Sequence, residues 1–373
     1  MLTACGGSQQ GAMPTSPGSN ALQGAFADNA AGVNGYQLLY SFTKASGLKP
    51  DAGLINVNGI LYGTTAYGGP LKYGNIFSVT TAGVEQTIYT FTGGTDGGRP
   101  LAAMIDVNGT LYGTTEFNTV FSVTPAGVEN TIYTFKGGTD GSVPFAALID
   151  MNGTLYSTTE SGGEHSRGTV FSVTPAGVEK VIYRFKGGAD GKFPQAALVD
   201  VNGTFYGTTP YGGTADYGTV FSVTPTGVEQ VLHSFGNPPG DGKIPYAGLI
   251  DVNGTLYGTT SVGGTSNDGT IFSITPQGVE TVLHSFKGTW DGALPYGPLI
   301  AVNRTLYGTS YYGGTSSGGR VFSVSTSGMV NVLHTFSTRT SDEAPLLDVD
   351  GTLYGATATG GLAGRGSIFK LQP

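Results

Sequence analysis

One short phrase recurs through the chain and limits the folds that it can adopt. Leu-Tyr-Gly-Thr, with small variations, returns at intervals of 44 to 51 residues, with its aromatic residue at Tyr62, Tyr112, Tyr156, Tyr206, Tyr257, Tyr307 and Tyr354. Self-similarity at a fixed period of roughly 20–50 residues is the signature of repeat architectures. The chain is therefore built mainly from seven copies of one supersecondary unit.

Each unit contains four short segments of strand length. In the second unit these are residues 101–107, 110–115, 119–124 and 131–135, all rich in β-branched and aromatic residues. Asn108-Gly109 separates the first two segments, and Thr-Pro-Ala-Gly at 124–127 separates the last two. Asn-Gly between apolar runs is a strong hairpin signal, because a type I′ turn needs two residues with positive φ. The unit is therefore predicted to be a four-stranded antiparallel meander.

Seven such meanders predict an all-β fold, a seven-bladed β-propeller of four-stranded antiparallel blades. A β-helix would not need four strands per repeat. The chain enters at residues 36–42, which resemble a fourth strand, and ends on 367–371, which resemble a third strand. We expect the N-terminal strand to complete the last blade, residues 345–371, and so to remove an open edge. Residues 36–373 are thus predicted to form a single propeller domain.

Charge and cysteine content exclude several classes of function. The formal net charge is −8, from 17 basic and 25 acidic residues, and the basic residues are scattered along the chain. A nucleic-acid partner requires a positive footprint, so none is expected. The single cysteine excludes an internal disulfide framework and a thiolate metal cage. We expect a monomer.

The N-terminal segment resembles a lipoprotein signal. Leu2-Thr3-Ala4-Cys5-Gly6 is similar to a lipobox, although only four residues precede Cys5 where a basic region and an apolar region should stand. Residues 6–35 are rich in Gly, Ser and Ala, as in a flexible linker. We therefore interpret residues 1–35 as a truncated lipoprotein signal and linker, the alternative being an accidental motif. Lipidation of Cys5 would be the only membrane contact, in the cell envelope or on the extracellular surface of a bacterium.

The units also resemble a known family. The run Gly168-Thr169-Val170-Phe171-Ser172-Val173-Thr174-Pro175, continued to Asp190-Gly191, is similar to the Gloeobacter/Verrucomicrobia (GloVer) repeat of choice-of-anchor bacterial surface proteins. The resemblance extends from residue 36 to the end of the chain. It implies a surface protein with variable anchoring, and it brings no catalytic residues to transfer.

The two ends of the predicted ring differ. One end, the turn face, carries only the Asn-Gly and Thr-Pro-x-Gly turns. The other, the long-loop face, carries the loops between second and third strands, such as 67–74, 160–168, 211–218, 261–269 and 311–319, together with the connections between blades. Function usually lies on variable loops held by a rigid scaffold, so we expect the ligand there.

Aromatic residues are the first group of candidate ligand contacts on the long-loop face. Flat rings with a polar tip suit sugars or peptides, although they could instead pack between blades. The candidates are Tyr67, Tyr211, Trp290, Tyr311 and Tyr312; Tyr246 and Tyr296 also follow the Pro that opens a first strand.

Aspartates in the connections between blades form the second group, namely Asp96, Asp140, Asp190, Asp241 and Asp291. A ring of carboxylates could bind a ligand or Ca²⁺, but Asp before Gly commonly caps its own turn. We predict no metal site and no cofactor, with Ca²⁺ as the lesser alternative. His233, His284 and His334 occupy the position that Tyr holds in other units, which indicates packing rather than catalysis.

Three functions remain open on the sequence. The first is a non-catalytic extracellular binding or adhesion module whose partner is a polysaccharide or a surface protein. The second is a structural spacer or scaffold. The third is a propeller glycan hydrolase or lyase, which needs a unique acid and base. Carboxylates outside the repeat pattern occur only around Glu116, Glu160 and Glu164.

Overall fold

The computed structural model describes residues 35–288, 290–313, 318–337 and 344–373. Within these ranges the chain forms seven sheets of four antiparallel strands, arranged as a β-propeller. The predicted all-β, seven-bladed fold is confirmed. Apart from strands, the described residues contain two single-turn 3₁₀ helices, Gly138–Asp140 and Gly188–Asp190. None of their helices has the length and apolarity needed to cross a bilayer.

Blades are numbered here in chain order, and the strands of a blade are lettered a to d from the propeller axis outward. The strands are Ile55–Val57, Ile60–Thr65, Asn75–Thr80 and Glu85–Thr90 in blade 1; Ile105–Val107, Thr110–Thr115, Thr119–Val123 and Glu129–Thr134 in blade 2; Ile149–Met151, Thr154–Thr159, Thr169–Val173 and Glu179–Arg184 in blade 3; Val199–Val201, Thr204–Thr209, Thr219–Val223 and Glu229–Ser234 in blade 4; Ile250–Val252, Thr255–Thr260, Thr270–Ile274 and Glu280–Ser285 in blade 5; Ile300–Val302, Thr305–Ser310, Arg320–Ser325 and Val330–Thr335 in blade 6; Leu347–Val349, Thr352–Thr357, Ser367–Leu371 and the N-terminal Gln37–Ser41 in blade 7. A two-stranded ladder of Gly242–Lys243 with Val262–Gly263 adds to the long-loop face.

Strand a is shorter than the sequence pattern indicates. In blade 2 it begins at Ile105 rather than at residue 101, because only Ile105–Val107 pairs with strand b. The residues before it instead bond to the preceding blade: the Thr64 hydroxyl donates to the Pro100 carbonyl at 3.2 Å. This contact, repeated by Thr114 on the Ala146 carbonyl at 3.1 Å, ties the entrances of blades 2 and 3 to the blades before them.

The core lies between blades and explains the glycine of the repeated phrase. Phe135, just after strand d of blade 2, meets Phe171 of blade 3 edge to face, with ring centroids 4.8 Å apart. Both side chains are buried. A Cβ at Gly113 would lie 2.5 Å from Cζ of Phe121, so the glycine in strand b makes room for the phenylalanine of strand c. The repeat therefore encodes one apolar layer at each junction.

The N-terminal strand closes the ring, as predicted. Gln37–Ser41 pairs antiparallel with Ser367–Leu371 and supplies strand d of blade 7. Just before this strand, the Tyr36 ring stacks on His334 of blade 6 with centroids 4.0 Å apart. It also packs 5.5 Å from Phe369 of blade 7. Cys5 and residues 1–34 lie outside the described residues, so the lipid anchor and the linker stay predictions.

Candidate functional site

A cavity of about 500 Å³ lies on the propeller axis at the long-loop face, and we call it the axial cup. Its walls are the segments that lead into strand a, in which a variable residue follows a proline and two small residues come next. The variable wall residues are Asp51, Leu101, Phe145, Gln195, Tyr246 and Tyr296, and the small ones nearest the axis are Gly53, Ala103, Ala147, Ala197, Gly248, Pro298 and Pro345. A Cβ at Gly53 would lie 2.4 Å from Cγ of Pro345, so small residues are required where the blades converge.

Five tyrosines form a continuous series of rings beside the cup, which we call the aromatic arc: Tyr211, Tyr246, Tyr296, Tyr311 and Tyr312. The Tyr211 and Tyr246 hydroxyls lie 2.7 Å apart. Ring centroids are 5.6 Å apart for Tyr246 and Tyr296, 5.6 Å for Tyr296 and Tyr311, and 4.7 Å for Tyr311 and Tyr312. All five are half-buried, so each ring is held by its neighbours while part of it faces solvent. The arc spans blades 4 to 6.

The opposite side of the rim is charged. The Arg99 guanidinium lies 4.6 Å from the centre of the Tyr67 ring and donates a hydrogen bond to its hydroxyl. The same guanidinium forms an ion pair with Glu116 at 2.9 Å. Glu160 accepts a hydrogen bond from Gln195, a wall residue of the cup, at 3.0 Å. Blades 1 to 3 thus bring charge to the rim where blades 4 to 6 bring aromatic surface.

Burial raises the pKa of the Glu160 carboxyl. The hydrogen bond from Gln195 opposes this shift, and the nearby negative charge of Glu116 adds to it. The side chain therefore binds a proton more readily than an exposed glutamate does.

Strained residues fix the rim in place. In six of the segments that lead into strand a, the residue before the first proline has a left-handed backbone, with φ between 54° and 59° at Lys49, Arg99, Val143, Phe193, Ile244 and Leu294. This conformation is disfavoured for non-glycine residues, costing on the order of 1–3 kcal/mol each. Hydrogen bonds oppose the cost: the Arg99 N–H donates to the Tyr73 carbonyl at 2.7 Å, and its carbonyl accepts from the Glu116 N–H at 3.1 Å. Each strained residue thereby joins two blades.

The five predicted aspartates lie away from the axial cup. They bond to strand d, the outermost strand, and each carboxylate accepts backbone N–H groups of its own connection. Asp140 accepts from the Lys136 N–H at 2.7 Å and from the Tyr133 hydroxyl at 2.8 Å. Asp291 accepts from the Lys287 N–H at 2.7 Å and contacts His284 Nε2 at 2.8 Å. The structure therefore uses these carboxylates as turn caps at the perimeter rather than gathering them around the axis.

The predicted aromatic contacts separate into three environments. Tyr211, Tyr311 and Tyr312 belong to the aromatic arc, Tyr67 lies on the charged side with Arg99 over its ring, and Trp290 is 82% exposed at a perimeter connection. In the described part of the chain no ring packs against Trp290. The wall residues Phe145 and Gln195 are not among the contacts that the sequence predicts. A sequence signal for them does exist: the residue after the proline differs from blade to blade, whereas the two residues that follow it stay small.

Comparisons with known proteins agree with this architecture. A family model described as the Gloeobacter/Verrucomicrobia repeat matches residues 117–322 and 280–373. No curated protein sequence matches the chain.

Among solved structures, the WD40 β-propeller domain of Doa1 superposes with a TM-score of 0.59 at 13% identity, covering 91% of this chain and 98% of that one. The computationally designed protein Ika8 superposes with a TM-score of 0.55 at 14% identity, covering 90% of this chain and 100% of that one. The extracellular domain of BT4673 from B. thetaiotaomicron superposes with a TM-score of 0.59 at 9% identity, covering 89% of this chain but only 39% of that one. At these identities the likeness shows the propeller fold alone.

Proposed function

Because the chain belongs to the Gloeobacter/Verrucomicrobia repeat family, we propose that it is a non-catalytic module on a bacterial surface that binds a polysaccharide at the axial cup. The observation that carries the proposal is the aromatic arc at the edge of the cup. A sugar ring presents a flat face of C–H groups and an edge of hydroxyls. Half-buried tyrosines offer an apolar face for the former and a hydroxyl for the latter.

The other half of the rim completes such a site. Small-molecule sites are concave, about 300–1,000 Å³ in volume, and combine apolar walls with a few placed polar groups. The cup, at about 500 Å³, falls within this range. Asp51 provides a hydrogen-bonding group across the cup from the arc, and Gln195 with the neighbouring Glu160 provides others beside it. Repetition of the blades does not extend to this rim, so we expect one ligand orientation rather than seven equivalent ones.

Surface location is part of the proposal. The extracellular placement of the BT4673 domain gives one precedent for a propeller of this shape outside the cell. A lipid on Cys5 would hold the chain at the membrane, and we expect the protein to act there as a monomer. A surface protein is the alternative partner for the same rim.

A retention experiment tests the binding site. The full-length protein is passed over immobilised polysaccharides and cell-wall material, with Tyr246→Ala and Tyr296→Ala as test variants. Trp290→Ala is the matched control, because Trp290 is exposed and outside the arc. We expect the arc variants to lose retention and the control to keep it, at similar unfolding temperatures. Loss in Trp290→Ala with retention in the arc variants would overturn the site, and no retention by any form would favour the structural spacer.

One observation favours a second candidate, a glycan hydrolase. Glu160, with its raised pKa, and Glu116, ion-paired with Arg99, carry two carboxyl groups in different environments at the same rim. Such a difference is typical of an acid and base pair. Glu160→Gln would then abolish release of reducing sugar while retention on the polysaccharide persists. Absence of sugar release by the unmodified protein would leave the non-catalytic module.

A further inference from the structure

Three junctions between blades share a cluster at the outer perimeter. A tyrosine of strand d stands beside the aspartate of the next connection and the glutamate that opens the following strand d. The Tyr183 hydroxyl lies 2.6 Å from Asp190 and 3.2 Å from Glu229. The Tyr89 hydroxyl likewise lies 2.9 Å from Asp96 and 3.5 Å from Glu129. In these clusters the phenol hydroxyl is the proton donor between two acids.

The junction of blades 4 and 5 departs from this arrangement, because His233 replaces the tyrosine. Its Nε2 lies 3.3 Å from Oδ2 of Asp241. One ligand atom from each of His233, Asp241 and Glu280 can be chosen so that all three lie within 4.8 Å of one another. Within the described residues, this is the one such group of three or more metal-binding side chains.

The carboxylates of this cluster are incompletely satisfied. The Asp241 side chain is only 2% exposed, and its Oδ1 has no hydrogen-bond partner among the described residues. Oε1 of Glu280 also lacks a partner, as does Oε1 of the equivalent Glu179 and Glu229, so the buried Asp241 Oδ1 is what distinguishes this cluster. Burying a carboxylate oxygen without a partner is costly, and buried charges are normally paired or bound to a metal. Burial also raises the pKa of Glu280 to about 7; His233 opposes the shift and Asp241 adds to it.

We propose that His233, Asp241 and Glu280 bind one divalent transition-metal ion, with Zn²⁺ as the best match. Zn²⁺ accepts imidazole nitrogen at about 2.0–2.1 Å and carboxylate oxygen at about 2.0–2.2 Å, and three protein ligands leave one position for water. Oδ2 of Asp241 lies 3.3 Å from Nε2 while accepting backbone N–H groups, so the same carboxylate can offer its unpartnered Oδ1 to an ion bound by His233. Imidazole with carboxylates disfavours Ca²⁺, which prefers oxygen ligands throughout. The ion would clamp blade 4 to blade 5.

The neighbouring junction provides an internal control. His284 contacts Asp291 at 2.8 Å, much as His233 contacts Asp241. The following strand d opens with Val330 instead of a glutamate, so the third ligand is missing. A pair of ligands is expected to bind the ion far more weakly than three.

Metal stoichiometry tests the proposal. The full-length protein, stripped with a chelator, is dialysed against Zn²⁺ and the bound metal is counted. His233→Tyr recreates the cluster of the three preceding junctions and should bind one ion fewer than the unmodified protein, whereas His284→Tyr should lose none. Zn²⁺ should also raise the unfolding midpoint of the unmodified protein and of His284→Tyr, but not of His233→Tyr.

Two further measurements protect the test against misfolding and against stray metal sites. Glu280→Gln, a change of similar shape, should lose the same ion. Co²⁺ added in place of Zn²⁺ should give visible absorption bands in the unmodified protein that are absent from His233→Tyr. Equal stoichiometry and equal Co²⁺ spectra for the unmodified protein and His233→Tyr would overturn the proposal.

Discussion

The hydroxyl groups of Tyr211 and Tyr246 lie 2.7 Å apart and join the loop of blade 4 to the entrance of blade 5. Burial raises the pKa of Tyr246, and the hydrogen bond to Tyr211 adds to this shift. The Tyr246 phenol therefore stays protonated at neutral pH. One hydroxyl donates to the other, and the accepting hydroxyl keeps its own proton for an acceptor on a ligand. The pair therefore fixes the distance between these two rings of the arc and orients one hydroxyl proton towards a ligand.

Removing one hydroxyl tests this pair. In Tyr211→Phe the aromatic surface stays while the hydrogen bond to Tyr246 is lost, a contribution of about 1 kcal/mol. We expect the unfolding temperature to fall by about 2–4 °C, and polysaccharide affinity to fall about five-fold because the Tyr246 hydroxyl is no longer held in place for the ligand. Tyr217→Phe, at a loop tyrosine covered by Lys243, serves as control. Unchanged affinity in Tyr211→Phe would show that the hydroxyl pair does not contribute to polysaccharide binding.

Closure of the ring depends on Tyr36. Its buried ring packs on His334 of blade 6 and on Phe369 of blade 7. Tyr36→Ala should destabilise the fold by about 3–5 kcal/mol, as truncation of a buried aromatic residue commonly does. Urea unfolding measures the change. Val128→Ala, at a turn-face residue 66% exposed, should stay within about 0.5 kcal/mol of the unmodified protein. Similar stabilities for both variants would contradict the closure role.

The perimeter clusters predict a pH dependence of stability. Burial raises the pKa of Glu179 from 4.5 to about 7; Asp140 adds to the shift and Arg184 opposes it. Between these pH values the folded chain binds more protons than the unfolded chain, so this residue makes stability fall as the pH rises.

Glu179→Gln removes this contribution and should flatten the fall. Unfolding curves from pH 5 to pH 8 should show the variant gaining stability over the unmodified protein towards pH 8. Glu164→Gln, at an exposed loop residue, is the control and should leave the profile unchanged. A Glu179→Gln profile parallel to that of the unmodified protein would show that Glu179 does not titrate in this range.

The capping role of the aspartates separates stability from binding. Asp140→Ala leaves the Lys136 N–H and the Tyr133 hydroxyl without their acceptor, which costs about 1–3 kcal/mol for each donor that remains buried. We expect a lower unfolding temperature and unchanged polysaccharide retention. Asp216→Ala, at an exposed aspartate paired with Lys192, should lower the unfolding temperature less. Lost retention at full stability in Asp140→Ala would instead support the aspartates as ligand contacts.

Blade number, strand order and closure could be predicted from the sequence, because they depend on local signals that recur. Asn108-Gly109 specifies a hairpin from its own two residues. The extra strand at 36–42 can pair only with the last blade, because that blade alone lacks a fourth strand. The length of strand a could not be predicted, since Pro100 bonds to Thr64 of the preceding blade and not to its own sheet.

The candidate site could be predicted only in part. The sequence identifies Tyr211, Tyr311 and Tyr312 as loop aromatics, but their contact with Tyr246 and Tyr296 depends on how the blades converge. The left-handed backbone at Val143 and Ile244 had no sequence signal, because β-branched residues rarely adopt it. The cluster at His233 could not be predicted either, because its partner Glu280 belongs to the next repeat and comes close only when the blades pack.

The pairing of Gln37–Ser41 with Ser367–Leu371 also sets the order in which the molecule can be made. The Ser41 hydroxyl, for example, accepts from the Leu362 N–H across 321 residues. At a synthesis rate of about 5–20 residues per second, the first strand waits on the order of tens of seconds for its partner. Blades 1 to 6 are each contiguous in sequence and can form meanwhile from local hairpins. Until the last strand is made, the ring can only be an open crescent. The unpaired strands at its two ends can then associate with other chains.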